Sequence, residues 1–133
     1  MAEGTVPSGS LTTPCIANLA VSEQQSPPKT DPWTHYCLTR NDLPPGTQAA
    51  QLIHAAGESS PGDLPPHTHA IALTCKDERE LEDISFLLFQ AGVRHTRIIE
   101  DDPPYTGQLM AIGIPPQRRS QLKRLLSRQP LLR

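Results

Sequence analysis

Proline punctuates this chain more heavily than any other feature, with 15 in 133 residues, about twice the usual ~5%. Each proline fixes φ and removes a backbone donor, so regular elements must fit into the intervals between them. Pairs fall at Pro27-Pro28, Pro44-Pro45, Pro65-Pro66, Pro103-Pro104 and Pro115-Pro116. Part of the chain is therefore loop or unfolded. The length allows one modest domain, and a 36% hydrophobic content allows a core drawn from only a subset of the residues.

Residues 1–32 are rich in Ser, Thr, Pro, Gln and Gly, and the apolar piece Cys15 to Val21 has no regular continuation. Such a segment cannot offset an ordering cost of roughly 1–2 kcal/mol per residue, so it is expected to be a disordered tail. No run approaches the ~18 apolar residues of a membrane span, and Met1 to Ser10 has no secretory pattern. Three cysteines, Cys15, Cys37 and Cys75, lack C-x-x-C spacing. They suggest neither a disulfide framework nor zinc, and they suit a reducing, cytoplasmic setting.

From Trp33 the pattern becomes structural. His35 to Thr39 is β-prone and ends at Asn41-Asp42 and Pro44-Pro45-Gly46. Residues 47–58 have helical spacing, with Ala49, Leu52, Ile53 and Ala56 read as the core face and Thr47, Gln51, His54 and Glu58 as a polar stripe. After a loop, His69 to Thr74 reads as a buried strand. Asp77 caps a second helix that buries Leu81, Ile84, Leu88 and Ala91 and closes at Gly92. Val93 to Glu100 returns to β character, and Leu109 to Ile114 is expected to form a hairpin with it. Pro115-Pro116 is read as the start of a last helix with Leu122, Leu125 and Leu126 inward. The order βαβαββα predicts an α/β fold, a small mixed four-stranded sheet covered by helices on both faces.

A net charge of -2 conceals an asymmetry, because residues 103–133 hold six Lys/Arg and no acid while residues 1–102 hold six against fourteen acids. Arg118, Arg119, Lys123 and Arg124 form a basic outer side for the last helix, which is either a solvated face or a polyanion surface. His54, with Gln51 within one turn, is the leading candidate for a general base near a water. Asp42, before the turn, or Asp101, at the end of the third strand, can orient it. Backbone N–H groups at Gly46 and Thr47 can meet an anion at the helix start. No nucleotide-binding glycine motif is present. His67-Thr68-His69 lacks a third ligand, so no metal is assigned.

Tyr36 to Arg40, Asn41-Asp42-Leu43, Gly46, Ala49-Ala50-Gln51 and His54-Ala55 resemble the opening signature of the archaeal/eukaryotic-type (type 2) peptidyl-tRNA hydrolases. The resemblance continues through the apolar strand at 70–74, Asp77-Glu78-Arg79-Glu80-Leu81, Glu100-Asp101 and Ala111-Ile112-Gly113, so it covers roughly residues 33–130. It implies hydrolysis of the ester joining a peptide to tRNA, with tRNA as partner and no cofactor. Asp42, Gln51, His54 and Asp101 are the matching polar positions. The chain departs from the family where a lysine would follow the glycine, since Thr47 stands there, and where a serine would precede the histidine, since Ile53 does. The loop from Asp101 to Gly107 is shortened. Arg40, or Arg97 if its side faces the cleft, is the cation expected to stand in for that lysine. A non-catalytic module on the same fold, binding RNA or protein, stays open as the second reading. A free sheet edge would leave room for a homodimer.

Overall fold

The computed structural model describes residues 31–133, and residues 1–30 of the expected tail lie outside them. Its compact unit spans Pro32–Arg133. The elements run β1 (Trp33–Arg40), α1 (Pro45–Ser59), β2 (His69–Cys75), α2 (Glu78–Gln90), β3 (Thr96–Ile99), β4 (Leu109–Arg118) and a short α3 (Arg119–Leu122). The sheet order is β2-β1-β4-β3. Strands β1 and β2 are parallel, joined through α1, while β4 is antiparallel to both β1 and β3.

The expected mixed four-stranded sheet, with helices on both faces, is what the chain forms. Alternation along β1 sends Tyr36 and Leu38 to one face and Cys37 to the other. The first face carries the larger core, where Leu81, Ile84 and Leu88 of α2 meet Leu73, Ile112, Ile114 and the post-sheet residues Leu122 and Leu126. Burying each such side chain contributes about 1.5–3 kcal/mol. The opposite face is thinner, with Cys37, Ala55, Ile98 and Ala111 packed tightly beneath α1.

Helix α2 follows its sequence signals through Leu81, Ile84 and Leu88, but Ala91, expected in the buried stripe, is the exposed residue that ends it. The Asp77 side chain accepts a hydrogen bond from Glu80 N at 2.9 Å, and Gly92 closes the helix with φ +74°. Helix α1 differs from its expected orientation. Gln51, Ala55 and Ser59 are buried, whereas Ile53 is 73% exposed and Ala49 is also outside. The cause is polar pairing across the interface. His35 Nε2 lies 2.7 Å from Ser59 Oγ, whose own proton goes to Ala55 O at 2.7 Å, so the imidazole donates. With Ser59 hydrogen-bonded inside, the helix turns away from the face its apolar residues mark.

Pro115-Pro116 does not begin a helix. Strand β4 runs on to Arg118, and its pairing with β1 skips from Tyr36–Ile114 to Thr34–Gln117. The two prolines, which have no N–H for the ladder, sit within that irregularity. The last helix is consequently only Arg119–Leu122. Beyond it the chain bridges the outer edge of β2, with Thr74 N donating to Pro130 O and Leu132 N to Ala72 O. Among the described residues, no helix is long and apolar enough to cross a membrane.

Candidate functional site

Gln51 projects from the buried side of α1 toward the end of β3, where its Nε2 donates to Glu100 Oε1 at 3.1 Å. The partner is Glu100, the neighbour of the Asp101 expected to orient His54. Ile98 faces α1, and the two-residue strand period puts Glu100 on that same side. Asp101 falls on the alternate side, is exposed and, among the described residues, pairs with no side chain. A carboxylate only accepts hydrogen bonds, so contact with Glu100 fixes the amide's orientation. Gln51 Oε1 is then a buried acceptor with no partner among the described residues.

His54 stands one turn further along α1 with its side chain 62% exposed, and its Nδ1 is 4.0 Å from Glu58 Oε2. The expectation that Asp42 orients it fails. Asp42 Oδ1 and Oδ2 instead accept from Arg40 Nε at 2.9 Å and Nη2 at 3.0 Å. That fork holds the Asp42 carboxyl below its usual range, chiefly through the Arg40 hydrogen bonds.

Arg40 is fully engaged as well. It is buried, its Nη1 donates to Gln108 Oε1 at 2.9 Å and Leu109 O at 3.2 Å, and its guanidinium lies 5.9 Å from the Tyr105 ring centroid. It is a strut beneath the Asp101–Gln108 loop, with its charge neutralised by Asp42, rather than the free cation expected from the sequence. Arg97 does not supply that cation either. It faces α2, where it forms a forked pair with Glu82 at 2.9 and 3.1 Å.

The loop links both groups. Glu100 N donates to Gln108 O at 3.0 Å and Gly107 N to Glu100 O at 2.8 Å. Gln51, Glu100, Gln108, Arg40 and Asp42 thus form one connected polar series at the C-terminal end of β1. Gly46 and Thr47 lie in the first turn of α1, where N–H groups have no carbonyl ahead of them in the helix. Neither Glu100 nor Gln108 was singled out from the sequence. Strand parity at Ile98 was the signal that could have found Glu100.

The basic residues are elsewhere. Arg118 stacks on Trp33 at 4.4 Å from the ring centroid, beside the start of β1. Seven residue steps at about 3.3 Å place that end roughly 23 Å from Arg40. Arg119, Lys123 and Arg124 are exposed on a segment that packs through Leu122 and Leu126 against the α2 face, not the α1 face. Arg124 and Arg128 line a hollow with Glu80 and Asp83. Among the described residues, no cluster of three His, Cys, Asp or Glu side chains is arranged to hold a metal ion.

No known family model matches the sequence, and no curated protein does. Among solved structures the chain is similar to a protein of unknown function from Agrobacterium tumefaciens strain C58, at 10% identity and a TM-score of 0.49, over 76% of this chain and 98% of that one.

Proposed function

We propose that the chain hydrolyses the ester of peptidyl-tRNA or a related aminoacyl ester by activating a water in the cytoplasm. The observation that carries this reading is the connected polar series from Gln51 through Glu100, Gln108 and Arg40 to Asp42 at the C-terminal end of β1, with His54 exposed one turn along α1.

The Gln51 amide nitrogen is occupied by Glu100, so it does not steady an oxyanion, which needs free N–H groups. The N–H groups of Gly46 and Thr47 are available for that charge. His54 is exposed one turn away and takes the proton as water attacks the ester carbonyl. The resemblance to type 2 peptidyl-tRNA hydrolases supports the substrate class. Peptide release from purified peptidyl-tRNA tests it. Gln51→Ala and His54→Ala should each slow turnover by roughly 10²–10⁴-fold, and undiminished release by the double variant would refute the assignment.

A second reading, a non-catalytic RNA- or protein-binding module, is favoured by one observation. Arg119, Lys123 and Arg124 lie on the face opposite α1. Salt-sensitive tRNA binding with no turnover would decide for it.

A further inference from the structure

On the other face of the sheet, α2 and β3 enclose a hollow of about 420 Å³ lined by Glu82, Ser85, Phe86, Phe89, His95 and Arg97. Three of these converge. Ser85 Oγ lies 2.8 Å from His95 Nε2, and Arg97 Nη1 donates to the same Oγ at 2.9 Å. His95 Nδ1 lies 3.0 Å from Val93 O, a group that only accepts, so Nδ1 carries the proton of the neutral ring. Nε2 is left as an acceptor aimed at the Ser85 hydroxyl. Arg97 is held in place by its forked pair with Glu82.

Ser85 thus donates to an imidazole fixed in one tautomer while accepting from a guanidinium. The first contact provides a base for the hydroxyl proton, and the second stabilises negative charge on the oxygen. The hollow's other walls are Phe86 and Phe89, 59% and 74% exposed, an unusual amount of aromatic surface at the mouth of a polar cluster. Carbon-rich ligand surface would meet these rings in an open hollow beside the buried Ser85.

We propose that Ser85, His95 and Arg97 form a second reactive site, a serine nucleophile for esters with an apolar or aromatic acyl group. Ser85 Oγ bonds to the acyl carbon as its proton passes to His95 Nε2. The bond from that carbon to the alcohol oxygen then breaks, and the alcohol leaves with the proton. Water, deprotonated by His95, cleaves the acyl-serine to free acid and restores the hydroxyl. Arg97 stays protonated throughout and holds its contact with the serine oxygen. This site shares no residue with the one proposed on α1.

The test is to treat the full chain with an alkyl fluorophosphonate and locate the adduct by peptide mass spectrometry, alongside hydrolysis of p-nitrophenyl butyrate. The adduct is expected on Ser85. His95→Gln should slow both labelling and hydrolysis by roughly 10²–10⁴-fold, and Ser85→Ala should abolish the labelling. An unlabelled wild-type chain, or an adduct on another residue, would overturn the proposal without requiring any variant to fold. Labelling of Ser85 that His95→Gln leaves unaltered would overturn the role of the imidazole.

Discussion

Gly113 lies where α1 rests on β4, and replacing it with alanine tests whether that seat sets the position of the α1 site. An added Cβ would press into Ala55 O and stand 2.5 Å from Ser59 Oγ. Ser59 can rotate, but the Ala55 carbonyl is helix backbone, so relief requires α1 to retreat by ~1 Å to reach ordinary contact. Overpacking of this kind costs about 1–3 kcal/mol, and weakening the His35–Ser59 hydrogen bond adds about 1 kcal/mol. The sum, about 2–4 kcal/mol, corresponds to a melting temperature lower by roughly 8–30 °C for a domain of ~100 residues. Urea unfolding should show a lower midpoint at an unchanged slope. Adding Ser59→Ala should recover only a minor part, because the backbone carbonyl remains. A loss of less than ~0.5 kcal/mol, within the range of an ordinary surface substitution, would mean that α1 is not seated there. Full rescue by Ser59→Ala would mean that the serine alone, and not the helix, makes the contact.

Further expectations follow from buried polar groups. Burial lowers the His35 pKa below 6.5, so the unfolded chain takes up the proton first. Stability should be complete above pH 6.5 and decline as pH falls toward the lower folded-state value. Denaturation midpoints from pH 7.5 to 5 should show this, and His35→Gln should flatten the profile. Asp42 is depressed below 3.8, so its contribution is present above that value and is lost as pH falls through the folded pKa. Acid unfolding of Asp42→Asn should lack that component. Arg40→Met should destabilise by about 1.5–3 kcal/mol, since it strips charged hydrogen bonds from Asp42 and Gln108, as measured by chemical denaturation. Burial raises the thiol pKa of Cys37 to about 11 and of Cys75 to about 12. Iodoacetamide at pH 8 should spare both until urea unfolds the chain, as peptide mapping would show.

Much of the fold is legible in local pattern. Helix α2 carries its own cap, apolar stripe and closing glycine, and the proline pairs before α1 and β4 fall where elements break. Helix α1 is harder to read, because the residues that decide its rotation, Gln51 and Ser59, are polar and count as outward by hydrophobicity. Their partners, Glu100 and His35, lie on other strands, and no spacing within the helix reports them. The same limit governs the site. Asp101 and Glu100 are equivalent by composition, and only the parity of β3 against α1 separates them. The end of β4 reads as helix because Pro-Pro favours a helix start, whereas the sheet accommodates the pair in a lapse of register.

The loop between β3 and β4 has a mechanical consequence. Glu100 is fastened to Gln51 by its side chain and to Gln108 by its backbone, and Gln108 in turn grips Arg40. Any force that a bound molecule applied at the glutamine would be transmitted along this tether to the far side of the sheet. The two faces of a thin scaffold are in this way tied together at one end, like pages held by a single staple.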